Sequence, residues 1–174
     1  MKNAMQIQVL MFKQDDPKKC TAAKLVKFGI AKNVRSTLSN TLILDPFAGR
    51  VILKNDRLVA NSITGIDCSW EFAQETFVKS FSGIHRKLPP LFAGNPVNYS
   101  KLSKLTTVEA IAGALFIMEF NDLAHEMLNK FKWGHTFYDL NKNLLEDYSK
   151  ANSEEEIITI LKEYDIYDIA VERH

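Results

Sequence analysis

The feature that most constrains the fold is a change in the hydrophobic pattern along the chain. Up to residue 105, short apolar segments of strand length alternate with segments of helical spacing, and beyond it only helical spacing occurs. The predicted strands cover residues 5–12, 41–44, 51–54, 58–60, 63–68 and 91–93, and the predicted helices cover 21–32, 70–81, 106–117, 122–131, 136–150 and 153–163. Strands that alternate with helices and are followed by further helices predict an α/β fold.

Length and composition are those of a compact domain. The 174 residues fit one domain or two small lobes that share a core, and 46% of them are hydrophobic, which is enough to build that core. No apolar run approaches the ~20 residues that a membrane-spanning helix requires. Residues 1–12 lack the architecture of a signal peptide. Because Cys20 and Cys68 cannot form a disulfide framework, we expect a cytoplasmic protein with no membrane partner.

Charge is segregated along the chain although the net charge is only +1. Residues 1–57 hold 11 Lys and Arg against 4 Asp and Glu, whereas residues 109–174 hold 6 against 14. A basic flank attracts the phosphate backbone of a nucleic acid through the release of counterions. The alternative is that both flanks are ordinary solvated surface, and charge alone does not decide between the two.

Several common catalytic and metal-binding motifs are absent from the sequence. It has no G-x-G-x-x-G and no G-x-x-x-x-G-K-[ST] motif, which argues against a Rossmann-type methyltransferase and against a nucleotidase. His125-Glu126 begins like the helix of a zinc protease, but Asn129 stands where a second histidine is needed. The four histidines have no ligand spacing with the two cysteines, so we predict no bound metal.

The segment from Ser62 to Glu71 holds polar residues among apolar ones at a predicted strand-to-helix junction. Asp67 can cap the helix there, or it can be a desolvated carboxylate that accepts a proton during catalysis. Trp70 is either a core residue or one wall of an apolar ligand pocket, where its ring offers a face to a sulfonium cation.

A second segment, Leu88 to Ser100, lies between a short apolar strand and a helix whose start is marked by the capping-box spacing of Thr106 and Glu109. A loop that follows a strand in an α/β sheet is a common place for a ligand. The alternative is an irregular surface loop, but its many apolar residues indicate that it packs against the protein.

Taken together, these segments resemble the small-subunit rRNA aminocarboxypropyltransferase family. The similarity extends over about residues 5 to 150, and the pairing of D-C-S-W with A-x-N-P-x-N-Y is specific to it. The matching blocks are Asp16-Pro17-Lys18-Lys19-Cys20-Thr21, Leu44-Asp45-Pro46, Asp67-Cys68-Ser69-Trp70, Leu88 to Tyr99 and Thr107-Val108-Glu109-Ala110.

The resemblance implies a fold like that of the SPOUT methyltransferases, with a C-terminal trefoil knot and a smaller N-terminal α/β part. Residues 1–90 would then bind the substrate, and residues 91–174 would form the knotted, cofactor-binding and helical part. The implied cofactor is S-adenosylmethionine, with Lys19 and Arg57 on its carboxylate and Ile66, Trp70 and Ala73 along its aliphatic part. The remaining implied cofactor contacts, made largely through backbone groups, are Thr21, Leu44, Pro46, Leu91, Tyr99, Ser103 and Thr107.

The activity implied by the resemblance is transfer of a 3-amino-3-carboxypropyl group to N3 of a pseudouridine, or N1-methylpseudouridine, in small-subunit rRNA. Asp67 is the implied general base. The partner would be rRNA in a pre-ribosomal particle, and we expect the enzyme to be a monomer. The residues expected to contact RNA phosphates are Lys13, Lys18, Lys24, Lys27, Lys32 and Arg35.

Three alternatives stay open from the sequence. An RNA methyltransferase with the same knot would transfer a methyl group from the same cofactor. A ribosome-assembly factor would bind RNA without catalysis, and it would have no need of Asp67 and Trp70 beside a cofactor-sized pocket. A metal-binding module in the N-terminal part would require ligand clusters that the chain lacks.

Overall fold

A computed structural model describes residues 5–12, 18, 20–68, 72–78 and 81–166. Five parallel strands form one sheet with the order β2-β1-β4-β3-β5. The strands are β1 (Gln6–Met11), β2 (Ala31–Asn33), β3 (Thr41–Leu44), β4 (Ser62–Asp67) and β5 (Ile84–Arg86). The helices are α1 (Thr21–Lys27), α2 (Ala73–Val78), α3 (Thr107–Ile117), α4 (Asn121–Leu128), α5 (Gly134–Lys150) and α6 (Glu154–Glu163). The predicted α/β class is confirmed.

The centre of the sheet is the pairing of β1 with β4, which runs in register from Gln6 opposite Ser62 to Met11 opposite Asp67. Beside them, all four residues of β3 are buried, as expected for a parallel strand covered on both faces. The buried hydroxyl of Thr41 lies 2.7 Å from that of Thr64 and accepts a hydrogen bond from Ser62 at 2.7 Å. The polar groups inside the sheet are therefore paired with one another.

Helix α3 lies at the middle of the core. Nine of its residues are buried, because it is apolar on all sides and packs against β4, α1, α4 and α5. Gly65 of β4 permits the close approach, since a Cβ atom there would lie 3.0 Å from both Ile111 Cδ1 and Thr107 Cγ2. The start of α3 is therefore held against the carboxyl-terminal end of β4.

Two short strands were missed by the hydrophobic pattern. The predicted helix over 21–32 ends at Lys27, because Gly29 adopts a φ of +75° and the chain turns into β2. Strand β2 lies at the edge of the sheet and buries only Ala31. Strand β5 is Ile84-His85-Arg86, in which a single apolar residue gives too little alternation to be recognised.

Three of the predicted strands are wrong. The segments 51–54 and 58–60 are not joined as strands, because a 3₁₀ helix covers Lys54–Leu58. Asp56 closes this turn by accepting a hydrogen bond from the backbone N–H of Leu53 at 2.9 Å. Residues 91–93 form no strand either, since their only ladder contact is one bridge between Phe92 and Leu102.

The helical second half agrees with its prediction. The capping box of Thr106 and Glu109 is present at the start of α3, and the three following helices lie within a few residues of their predicted positions. One hydrophobic cluster extends from Met5 to Leu161 and joins both halves. The division near residue 90 stays a prediction. Among the described residues, no helix has the length and apolar character needed to cross a membrane.

Candidate functional site

A cleft of about 330 Å³ opens at the carboxyl-terminal ends of β3, β4 and β5, beside the start of α3. Its volume falls at the lower end of the range of small-molecule sites, about 300–1,000 Å³. One side, the sheet wall, consists of Leu44, Asp45, Pro46, Gly65, Ile66, Cys68, Ala73 and Phe77. The other side, the loop wall, consists of Lys87, Leu88, Pro89, Leu91, Ser103, Leu105, Thr106, Thr107 and Ala110.

The loop wall is fastened to α3 by one buried carboxylate. Glu109 is fully buried, and its Oε2 accepts a hydrogen bond from the backbone N–H of Gly94 at 2.7 Å. Its Oε1 accepts from Asn95 Nδ2 at 2.7 Å and from both the N–H and the hydroxyl of Thr106 at 3.0 Å. Glu109 thus caps the start of α3 and, in addition, bonds Gly94 and Asn95 of the loop to that start.

Two side chains of helix α5 form hydrogen bonds with the backbone of the same loop. The buried side chain of Asn141 accepts a hydrogen bond from the N–H of Phe92 at 2.7 Å and donates to its carbonyl oxygen at 2.8 Å. The hydroxyl of Tyr148 donates to the carbonyl oxygen of Pro90 at 2.8 Å. These side chains satisfy buried backbone groups that no neighbouring strand pairs, so an irregular segment can form a wall of the cleft.

Asp67 connects three elements at the end of β4. Its Oδ1 accepts a hydrogen bond from the hydroxyl of Thr107 at the start of α3, at 2.9 Å. Its Oδ2 accepts from the thiol of Cys20, the N-cap residue of α1, at 3.0 Å. Partial burial, together with the hydrogen bond to Asp67, raises the pKa of Cys20 to about 11, so this thiol keeps its proton and donates it at neutral pH.

Seven residues predicted to bind the cofactor line the cleft, from both walls. They are Leu44, Pro46, Ile66, Ala73, Leu91, Ser103 and Thr107. The fold brings these residues together in one cleft from five separate parts of the chain. Their role in binding the cofactor stays a prediction. Two further predicted residues, Lys19 and Trp70, lie outside the described residues.

Three predicted cofactor residues are not brought to the cleft wall. The guanidinium of Arg57 lies over the ring of Phe120, 4.7 Å from its centroid, and pairs with Glu119 at 3.6 Å. Thr21 is buried behind the cleft, where its hydroxyl accepts a hydrogen bond from the N–H of Val108 at 3.3 Å. Tyr99 is 56% exposed on the loop. For these residues the geometry gives no support to cofactor binding.

Sequence reasoning missed Asp45, Phe77 and Lys87, which also line the cleft. The sequence pattern marks Asp45 only as the end of a strand, and Phe77 only as a residue with helical spacing. Lys87 follows β5, which the hydrophobic pattern does not reveal, and its backbone pairs with residues 50–52. Lys87 is therefore a basic residue of the cleft lining that the resemblance, which implies Lys19 and Arg57, does not include.

Where the structure describes them, most of the residues predicted to contact RNA belong to α1 or to the β2 edge of the sheet. Lys24 and Lys27 belong to α1, Lys32 belongs to the edge strand β2, and Arg35 follows it. Lys18 is exposed shortly before α1, and Lys13 lies outside the described residues. Contact with RNA stays a prediction.

The fold and the cleft define a class of protein: a parallel α/β protein with a site for a small organic ligand at the carboxyl-terminal edge of its sheet. The described residues contain no group of three or more His, Cys, Asp or Glu side chains that could hold a metal ion. Residues 5–37 match a family profile described as a possible Fer4-like domain in RNase L inhibitor. That segment has one cysteine, Cys20, whereas an iron–sulfur cluster needs about four ligands, so the donor set does not fit one.

Comparisons with known proteins specify the family. Residues 42–165 match the profile described as ribosome biogenesis protein, C-terminal. The 16S rRNA aminocarboxypropyltransferase of Methanococcoides burtonii is 44% identical over 163 residues, which cover 91% of this chain and 94% of that protein. The protein of the same name from Methanobrevibacter smithii is 39% identical over 92% of this chain and 97% of its own length.

A solved structure agrees with these relatives. The SAM-dependent rRNA:acp-transferase Tsr3 from Vulcanisaeta distributa superposes with a TM-score of 0.85 at 37% identity, covering 95% of this chain and 91% of that one. The chain therefore belongs to the 16S rRNA aminocarboxypropyltransferase family, which is a family of enzymes. The predicted family is confirmed.

Proposed function

We propose that this protein is an S-adenosylmethionine-dependent transferase that places an aminocarboxypropyl group on small-subunit rRNA. The observation that carries the proposal is the cleft itself. It lies at the sheet edge where α/β proteins bind nucleotide-like ligands, and it is built in a fold shared with a SAM-dependent rRNA:acp-transferase.

The residues of the cleft fit S-adenosylmethionine. Leu44, Ile66 and Leu91 offer apolar surface to the adenine and to the aliphatic chain. Ser103 and Lys87 are polar residues of the lining, and a lysine is the kind of residue that can pair with the carboxylate of the ligand. When bound, S-adenosylmethionine supplies an electrophilic carbon next to its sulfonium.

Asp67 is the proposed general base toward N3 of a pseudouridine or N1-methylpseudouridine. Its location at the end of β4, bonded to Thr107 in the loop wall, supports this role. A carboxylate has about four acceptor positions, and the bonds from Thr107 and Cys20 use two of them. These two bonds orient the carboxylate while leaving it the capacity to accept a proton.

The basic side of the molecule is the proposed rRNA surface. Lys24, Lys27, Lys32 and Arg35 lie on α1, on β2 and just after it, and α1 begins directly after Cys20, which contacts Asp67. We further propose that the enzyme acts as a cytoplasmic monomer on a pre-ribosomal particle. Replacing Lys24 and Lys27 by Glu should weaken RNA binding and reduce the salt slope by about one for each phosphate that the protein no longer neutralises, without a change in cofactor affinity.

We propose that the chain also forms the trefoil knot that the resemblance implies. The inward packing of the segment between β5 and α3 supports this, because Leu91, Ala93 and Asn95 are buried among residues of α3 and α5. Closing the two chain ends and reducing the Cα path would test it, and a path that reduces to an unknotted circle would overturn it.

The group that leaves the cofactor tests the proposed activity. In parallel reactions with pre-ribosomal RNA, S-adenosylmethionine carries a label on its methyl group or on its carboxyl carbon. We expect the RNA to acquire the carboxyl label alone, with methylthioadenosine as the coproduct. Methyl label on the RNA would instead support the methyltransferase alternative, and binding of RNA without transfer of either label would support the assembly-factor alternative.

A further inference from the structure

Phenylalanine rings form a continuous row of contacts along the carboxyl-terminal edge of the sheet. Phe12 contacts Phe81 with ring centroids 6.3 Å apart. Phe77 contacts Phe81 at 6.2 Å and Phe47 at 5.9 Å. The rings meet edge-to-face or tilted, as aromatic pairs prefer. This phenylalanine row therefore extends from the residue that follows β1 to the turn that follows β3.

The phenylalanine row lies beside the proposed reaction site. At one end, the backbone N–H of Phe12 donates to the carbonyl oxygen of Asp67 at 3.0 Å, and in the middle Phe77 lines the cleft. Strand β4, which ends at Asp67, lies between β1 and β3 in the sheet. A base that approaches Asp67 therefore arrives at the edge along which these rings lie.

Phe47 is the exposed end of the row. Its backbone N–H donates to Asp45 Oδ1 at 2.8 Å, and the same turn is closed by a hydrogen bond from the N–H of Ala48 to the carbonyl oxygen of Asp45 at 3.1 Å. Although its ring contacts Phe77, Phe47 is 57% exposed. A flat apolar surface is thus presented to solvent on a fixed turn, and a ligand that covers it orders little of the protein.

Basic residues accompany this exposed ring. Arg50 is exposed in the segment that follows the turn, and its carbonyl oxygen accepts a hydrogen bond at 2.9 Å from the N–H of Lys87, which lines the cleft. Aromatic rings beside basic residues are typical of sites for single-stranded nucleic acid, where bases stack on the rings and cations neutralise phosphates. The basic residues of α1 and β2 lie on the other side of β4. An RNA that contacts both sides would pass over Asp67.

We propose that Phe47 stacks on an unpaired base of the rRNA substrate at the mouth of the cleft. This role rests on the proposed function, and it makes Phe47 a substrate-binding residue that takes no part in the reaction itself. An enzyme that modifies a base takes it out of its stack, and unstacked bases are held on aromatic side chains. The ring of Phe47 replaces part of the stacking that the RNA loses.

Binding of RNA to variants of Phe47 tests the proposal. The probe is the small-subunit rRNA hairpin that acquires the carboxyl label. We expect Phe47→Ala to weaken its binding by roughly fivefold to 150-fold, Phe47→Leu to weaken it as well, and Phe47→Trp to retain it, because only the last keeps a ring. The salt slope should not change, since no phosphate contact is lost. Leu58→Ala, which removes a side chain of a residue that is 78% exposed, is the matched control and should bind normally.

A double-mutant cycle identifies stacking as the cause. In the same hairpin, each unpaired nucleotide is replaced in turn by an abasic site. We expect one of these replacements to weaken binding to the wild-type protein by a factor similar to that of Phe47→Ala, and to have little further effect on Phe47→Ala itself. Additive losses at every position would mean that Phe47 contacts no base.

The outcomes separate this proposal from the proposed function. If the wild-type protein transfers no carboxyl label to RNA, the proposed function is wrong and the role of Phe47 falls with it. If the label is transferred, but no abasic site weakens binding to the wild-type protein, only the role of Phe47 is wrong. That comparison needs no variant to fold. Loss of S-adenosylmethionine binding in Phe47→Ala would also overturn the proposal, because the ring would then support the cleft through Phe77.

Discussion

The two walls of the cleft are built by different physical means. Apart from Ala73 and Phe77 of α2, the sheet wall follows from β3 and β4, whose backbones are paired in register and whose apolar side chains are buried in the core. The segment that forms the loop wall has two isolated bridges, Val51 with Lys87 and Phe92 with Leu102, and is held by the buried side chains of Glu109, Asn141 and Tyr148. Regular backbone pairing is thus replaced by a few polar side chains, each of which satisfies backbone groups of the loop.

Because of this difference, the residues that set the shape of the cleft are distinct from the residue proposed to act in the reaction. The acidic Asp45 belongs to the sheet wall, and the proposed base, Asp67, ends β4 between the lining residues Ile66 and Cys68. The loop wall contributes mostly apolar surface and hydroxyl groups, and its position depends on a few side chains. A change in one of those side chains should therefore alter the shape of the site, whereas a change at Asp67 should alter its chemistry and leave its shape.

Glu109→Ala is expected to have the largest effect, because it removes the acceptor of four hydrogen bonds in the loop wall. Unpaired buried donors cost about 1–3 kcal/mol each, so the free energy of unfolding should fall by at least about 3 kcal/mol. Urea unfolding measures the loss, and a cofactor titration should show little or no binding.

Glu109→Gln is the matched control for that change. It keeps the size of the side chain and one acceptor oxygen, so it should lose less stability than Glu109→Ala. If both variants unfold at the wild-type urea concentration, Glu109 does not hold the loop wall, and the distinction between the two walls is wrong.

Asp67→Asn is expected to keep the cleft and to lower turnover. Asparagine preserves the shape of the side chain but cannot serve as the base, and loss of a general base typically costs ~10²–10⁴-fold in rate. Single-turnover rates at saturating cofactor measure the effect, and raising the pH should restore part of it, because the imide nitrogen of the substrate then ionises by itself.

Thr107→Val separates the structural role of Asp67 from its chemical role. It removes the hydroxyl that donates to Asp67 at 2.9 Å but retains the carboxylate. If Thr107→Val slows turnover as much as Asp67→Asn, orientation of the helix start explains the loss. Full activity in Asp67→Asn would instead mean that the reaction depends on positioning alone.

Asn141→Ala should loosen the loop wall to a smaller extent than Glu109→Ala. It exposes no charged group, but it leaves the N–H and carbonyl oxygen of Phe92 without their side-chain partner. We expect a loss of about 1–3 kcal/mol, together with faster hydrogen exchange at the Phe92 amide. Tyr148→Phe, which removes one hydrogen bond to Pro90, should cost about 0.5–1.5 kcal/mol. If Asn141→Ala and Tyr148→Phe lost equal stability, Asn141 would contribute no more to holding the loop wall than Tyr148 does, contrary to this expectation.

The same contrast explains how much could be predicted from the sequence. Strands β3 and β4 and the capped start of α3 are local patterns, and the residues of the sheet wall follow from them. In contrast, Asn141 lies 49 positions from Phe92, and Asp67 lies 47 from Cys20 and 40 from Thr107. The hydrophobic periodicity of the sequence does not reveal such long-range contacts. Seven of the residues that the resemblance implies for the cofactor line the cleft, and their role in binding stays a prediction. The resemblance did not reveal Lys87 or Asp45 as lining residues.

The smallest expected effect is on the pKa of the Cys20 thiol. This thiol donates a hydrogen bond from the N-cap of α1 to Asp67 at the end of β4. Its pKa is raised from 9.0 to about 11, first by burial and then by the hydrogen bond to Asp67. In the unfolded chain the thiol loses its proton near the lower value, whereas in the folded protein it keeps the proton up to the higher one. The contribution to stability is therefore complete below pH 9 and is lost as the pH rises to about 11.

Alkylation of Cys20, followed by mass spectrometry of its peptide, measures this pKa directly. Because the thiolate is the nucleophile, we expect the rate constant with iodoacetamide to keep rising until about pH 11 in the folded protein. In Asp67→Asn the rise should occur at lower pH, since the carboxylate that accepts the thiol proton is gone, and burial alone should keep part of the shift. The urea-unfolded protein, in which both variants should titrate alike, is the control. An unchanged profile in Asp67→Asn would mean that the bond between Cys20 and Asp67 does not hold the sheet wall to α1.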